Sequence, residues 1–189
     1  MRHRITMKDI MASDLDELFA GNKAECLYSD PPWGIGNLKY WRTMNNQKGH
    51  NVDWFNFLER IKYLYKRHVT GPLFLETGMR FENDLGEVFG KPDARYEILY
   101  GSGGKKLKNL LLCWGAIPAK SPAGMFGFDI PYTVLSTLTK VPKSVFDCCV
   151  GLGTTAKVCK KIGAACFANE LNRSRAASTM KILDFEVIE

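Results

Sequence analysis

The residues able to do chemistry in this 189-residue chain fall into two short groups. The first is Asp30-Pro31-Pro32-Trp33, which closes an apolar stretch, residues 24–29, that reads as a strand. Proline has no N–H and a fixed φ. Asp30 and the Pro31 carbonyl therefore make a stiff pair of hydrogen-bond acceptors, and Trp33 follows at once with a flat ring able to stack on a base. Open α/β sheets bind ligands at the carboxyl ends of their strands, where Asp30 is expected. Such a pair of acceptors suits an amino group conjugated to a ring, that of adenine above all. Engaging both N–H bonds favours a more tetrahedral nitrogen with a localised lone pair, an effect strongest in a dry, preorganised site. The nitrogen can then attack a methyl donor in line, with positioning supplying much of the remaining rate. Taken alone, the tetrapeptide also reads as a plain strand end with a proline turn.

The second group is Asp147, Cys148, Cys149, Gly151, Gly153, Thr154 and Thr155. An apolar strand, residues 144–150, runs into a glycine turn that opens a helix. Glycine lets a ligand approach the backbone closely, and a helix N-terminus offers free N–H groups. Glu170 ends the next strand-like stretch, where a carboxylate can accept hydrogen bonds from two ribose hydroxyls, and Asn172 begins the helix after it. The pattern points to a nucleoside-containing cofactor. It also fits the G-x-G-x-x-A fingerprint of dinucleotide sites through Ala156, so a nicotinamide-dependent oxidoreductase is an alternative, as is a tight turn that binds nothing. A P-loop is excluded, because no G-K-[ST] follows the glycines.

Together the two groups resemble the amino-methyltransferases, the N6-adenine and N4-cytosine methyltransferases of DNA and their RNA relatives. Residues 30–33 look like that family's DPPW-type catalytic motif, 146–155 like its cofactor loop and Glu170 like its ribose-binding acid. The catalytic motif precedes the cofactor loop, which matches the circularly permuted group often called the beta class. The resemblance implies a Rossmann-like α/β fold, with a mainly parallel seven-stranded sheet and one antiparallel hairpin, and S-adenosyl-L-methionine as cofactor. It implies an adenine-specific DNA methyltransferase, with RNA adenosine N6 or DNA cytosine N4 as alternative targets. By the same analogy Asp9 lies near the cofactor's adenine, the helix led by Pro131 lies beside its methionine end, and a homodimer is expected. The chain departs from the family in carrying Cys148-Cys149 where Pro-Phe is usual, and Ile130 where a lysine commonly precedes the proline.

The elements that must position these groups follow from apolar spacing. Strands are expected at 5–9, 24–29, 73–76, 94–101, 109–115, 144–150 and 164–170. The 94–101 and 109–115 pair reads as a hairpin. Helices are expected at 14–20, 52–68, 80–89, 129–138, 155–163 and 172–185, with Asp129 as a cap. Strands alternating with helices imply α/β architecture, in one catalytic domain over 1–189 without a separate recognition domain. Residues 34–51 are polar and aperiodic and read as a loop. It carries Lys39, Tyr40, Trp41, Arg42, Asn45, Asn46 and Lys48, aromatic and basic groups suited to stacking and phosphate contact with nucleic acid. Lys105, Lys106 and Lys108 beside the hairpin read as a solvated turn.

Composition sets the outer bounds. Hydrophobic residues make up 46% and charged residues 24%, an ordinary globular balance. No membrane span or signal peptide is expected, which points to the cytoplasm. A formal charge of +6 is a mild bias towards polyanions. The six cysteines contain no C-x-x-C and the three histidines are scattered, so no metal site is expected and the thiols read as small hydrophobes.

Overall fold

Short apolar stretches of the sequence build the centre of the molecule. In the computed structural model, which describes residues 2–47, 53–102 and 105–189, three strands are buried along their whole length. They are β2 (Cys26–Ser29), β6 (Ser144–Asp147) and β7 (Ala165–Asn169). Such strands, covered on both faces, are the signature of a parallel sheet flanked by helices. With β1 (His3–Thr6), β3 (Leu73–Gly78), β4 (Ala94–Ser102), β5 (Lys105–Trp114) and β8 (Phe185–Ile188) they form one eight-stranded sheet. Its order is β4-β5-β3-β2-β6-β7-β1-β8, with β5 antiparallel to both of its neighbours and every other pairing parallel.

The helices are α1 (Asp16–Phe19), α2 (Gly34–Met44), α3 (Trp54–His68), α4 (Glu82–Phe89), α5 (Asp129–Ser136), α6 (Thr154–Ile162) and α7 (Arg173–Met180). Leu38, Leu58, Ile61, Leu64 and Leu85 carry α2, α3 and α4 onto one face of the sheet, over Leu27, Leu75 and Phe146. Val134, Val158 and Ala176 carry α5, α6 and α7 onto the other, over Tyr28, Phe74 and Val145. No helix among the described residues is long and apolar enough to cross a membrane.

Four sequence expectations change. The sheet has eight strands rather than seven, because α7 ends at Met180 and the chain returns as β8 alongside β1. Residues 34–44 are a helix instead of a loop. Its inward positions are Gly34, Leu38 and Arg42, spaced four apart, so a helical face exists but only one of its members is a large apolar residue. Lys48, at the end of that stretch, lies outside the described residues. The hairpin strands run on to Ser102 and from Lys105, so Lys105, Lys106 and Lys108 belong to β5, where Lys108 pairs with Glu97 at 2.9 Å. Asp129 opens α5 in its first turn but makes no capping hydrogen bond.

Candidate active site

Strand order decides what the two chemical groups can share. β2 and β6 are parallel neighbours, with Cys26 opposite Val145 and Leu27 opposite Phe146. Their carboxyl ends, where Asp30-Pro31-Pro32-Trp33 and the glycine turn begin, therefore open side by side. Ser29 bridges them: its hydroxyl donates to Asp147 Oδ1 at 2.6 Å, in a fully buried contact. Asp147 also accepts the Cys149 N–H at 3.0 Å and bonds the Thr155 side chain. All three contacts shape the turn. Burial pushes the Asp147 carboxyl up to about 6 against these hydrogen bonds.

The turn itself depends on its glycines. Gly151 and Gly153 have φ of 58° and 85°, the left-handed region that side chains other than glycine resist. Beside it, Glu170 accepts the N–H of Gly151 through Oε2 and that of Asn172 through Oε1, each at 2.8 Å. The Asn172 side chain caps α7 by accepting the Arg175 N–H.

Above these strand ends lies a cavity of about 240 Å³. Asp9, Asp30, Pro31, Pro32, Trp33, Trp41, Arg42, Cys148, Cys149 and Glu170 all border it, so residues from five separate parts of the sequence meet there. Asp147, Gly151, Gly153, Thr154, Thr155 and Asn172 lie around the turn without lining the cavity. Pro131 is buried at the start of α5 and does not reach it either. Lys39 and Tyr40 point outward from α2, Tyr40 being 55% exposed.

Asp30 opens to the cavity, while the surrounding protein removes much of its hydration. That loss, reinforced by the Asp147 charge, raises its carboxyl to about 7 against the pull of the Trp33 N–H and Arg175. Trp33 Nε1–H donates to Asp30 Oδ1 at 2.9 Å, and its ring meets Tyr100 edge-on at 5.0 Å between centroids. Tyr28 Oη–H donates at 2.6 Å to Glu76, whose carboxyl is also raised by burial and by Asp30. The Asp30 end of the cavity is thus acidic and partly dehydrated.

α2 crosses the cavity and is tied down at three points. Arg42 forms a nearly buried ion pair with Asp9 at 2.9 Å, Asn45 accepts from the Asn172 side chain at 2.8 Å, and the Trp41 ring lies against the Arg175 guanidinium at 4.3 Å. Arg42, expected among nucleic-acid contacts, is therefore committed to Asp9. Replacing it with alanine leaves Asp9 unpaired at the edge of the core, so Arg42→Ala should cost about 2–4 kcal/mol in urea unfolding; a change under about 0.5 kcal/mol would show the pair to be dispensable. Sequence reasoning missed Asn37, Tyr100, Asn169 and Arg175, which also line the cavity. Only Arg175 left a trace, as a cation five residues past Glu170 in the first turn of a helix.

No protein-family model matches the chain, and no curated protein matches it by sequence. Solved structures do match. The complex of M1.HpyAVI with SAM superimposes with a TM-score of 0.69 at 14% identity, covering 96% of this chain and 98% of that one. PvuII DNA methyltransferase, cytosine-N4-specific, gives a TM-score of 0.63 at 11% identity over 100% of this chain and 95% of its own. The chain shares the fold of these structures. A candidate DNA modification methylase from Thermus thermophilus, TTHA0409, complexed with S-adenosyl-L-methionine, shares it with a TM-score of 0.59 at 13% identity, over 99% and 100% of the two chains.

Proposed function

We propose that the protein is an S-adenosylmethionine-dependent methyltransferase acting on the exocyclic amino group of a nucleic-acid base, N6 of adenine in DNA. The observation that carries this reading is the shared cavity: the Asp30-Pro31 acceptor pair and the Glu170 side of the glycine turn open into one space. The methyltransferase fold of the solved neighbours supports it. The residues present also fit the cofactor. Glu170 offers a carboxylate at the end of β7 for ribose hydroxyls, and with Asp30 it gives the cavity an acidic wall suited to a cationic ligand.

When bound, S-adenosylmethionine supplies an electrophilic methyl group on a sulfonium. The protein's own groups do the rest. Asp30 and the Pro31 carbonyl accept the two N–H bonds of the target amino group, and Trp33 stacks on the ring that carries it. Trp33 already occupies Asp30 Oδ1, which leaves Oδ2 for the base. A carboxylate held near 7 is well matched to take the proton that the nitrogen releases after methylation. A base inside a duplex must leave the stack to reach this cavity; Lys39 and Tyr40, exposed on α2, offer a cation and a ring to the flanking strand. A nicotinamide-dependent reaction would leave residues 30–33 without a role.

Incubating the protein with tritiated S-adenosylmethionine and DNA or RNA, then digesting and identifying the labelled nucleoside by mass spectrometry, tests the proposal. N6-methyladenine in DNA is the expected product. Label in N4-methylcytosine or only in RNA would overturn the substrate assignment, and no label in any nucleic acid would overturn the function.

A further inference from the structure

Three cations line the cavity, and two of them are already paired. Lys8 meets Glu17 at 2.6 Å and Arg42 meets Asp9 at 2.9 Å. Arg175 has no hydrogen-bonded or ion-paired partner for its guanidinium among the described residues. Yet the side chain is held firmly. Its Cζ lies over the Trp41 ring, 4.3 Å from the ring centre, and one terminal nitrogen presses on the glycine turn, 2.5 Å from where a Cβ on Gly151 would stand. Its Nε is buried with no acceptor. An unsatisfied buried donor costs about 1–3 kcal/mol, so the fold maintains a guanidinium that its own residues do not satisfy, on the wall of a cavity that also holds Asp30 and Glu170.

We infer that Arg175, oriented by stacking on Trp41, is the anchor for the terminal carboxylate of the methionine moiety of the cofactor; this rests on the proposed methyltransferase reading. Charge matching singles out that group. The ligand carries a sulfonium and an ammonium, which the acidic wall attracts and a guanidinium repels, and one carboxylate, its sole anion. The planar guanidinium fork fits a carboxylate in two parallel hydrogen bonds. The position also argues against a nucleic-acid phosphate, which would be met at the rim of the cavity, because Arg175 sits inward between Trp41 and the turn.

Isothermal titration calorimetry with S-adenosylmethionine and its decarboxylated analogue tests the inference without relying on turnover. The wild-type protein should bind the intact molecule about 30-fold more tightly than the analogue, the worth of one charge-assisted contact. Arg175→Gln should erase that preference, binding both as weakly as the wild type binds the analogue, with Arg175→Lys in between. A wild-type protein indifferent to the carboxylate overturns the assignment even if no variant folds. So does a folded Arg175→Gln that weakens both ligands equally, or one that binds oligonucleotide more weakly with cofactor affinity unchanged. If the wild type binds neither S-adenosylmethionine nor S-adenosylhomocysteine, the methyltransferase reading itself fails, an outcome distinct from the other three.

Discussion

Asp30→Ala should abolish methyl transfer, by about 10³-fold or more, while making the folded protein more stable at pH 8. On the proposed mechanism, the loss of activity follows from removing one of the two acceptors that localise the lone pair of the amino nitrogen. The gain in stability follows from the same carboxylate. Its affinity for a proton rises from 3.8 to about 7 on folding, chiefly because the surrounding protein strips water from it. A folded-state value above the unfolded one means that the native state binds the proton more tightly. Asp30 therefore costs nothing below pH 4, destabilises progressively as the pH climbs towards 7, and exerts its full penalty above that. Water reaches Asp30 through the cavity, so the penalty is about 1 kcal/mol rather than the full electrostatic value. Thermal melts of wild type and Asp30→Ala at pH 5 and pH 8 measure it, and equal melting temperatures at pH 8 would show that Asp30 carries no such strain. Activity of the wild type should rise roughly tenfold per pH unit up to about 7 and then level off. Asp30→Asn, which keeps a carbonyl acceptor but cannot titrate, should retain weak activity without that rise. A rise that persists in Asp30→Asn would assign the titration to another buried carboxyl facing it, Glu76 on β3 or Asp147 on β6.

Gly153→Val should destabilise the fold by about 3 kcal/mol or more, lowering the melting temperature by roughly 6–12 °C for a chain of this size. Gly153 has φ of 85°, which a β-branched residue adopts only under strain, and a Cβ there would collide with Ile182 and stand 2.9 Å from Thr179 Oγ1. Thr179 in turn donates its hydroxyl to the Gly151 carbonyl at 3.0 Å, so the collision also pulls on the other glycine of the turn. Cofactor affinity, read by calorimetry at a temperature where the variant is folded, should fall with it. A variant as stable as the wild type would mean that the turn relaxes without loss, and that its conformation is not what the glycines secure. Gly163 offers the control. Its φ is 74°, but nothing lies within 4 Å of its Cβ position, so Gly163→Ala should cost only the backbone strain, about 1 kcal/mol.

Much of this molecule was written locally. The prolines after Asp30 and the glycines after Val150 act through their own backbones, by removing donors or permitting positive φ, and those effects need no distant partner to be read. The apolar runs at 24–29, 144–150 and 164–170 likewise announce strands. What the sequence could not announce is any feature defined by who faces whom. α2 is hidden because its inner side meets a cavity and Asp9, so Arg42 stands where a periodicity search expects a second leucine. β8 is hidden because it is a four-residue edge strand, half of it exposed, that starts soon after a helix ends. Pro131, placed beside the cofactor by analogy, packs away from the cavity at the root of α5. Arg175 has meaning only once α7 lays it across the Gly151 turn and α2 brings Trp41 against it. Backbone chemistry is a property of neighbours along the chain and so is legible in order. The pairing of charges and rings is a property of neighbours in space, and only the closed sheet with its helices could decide it.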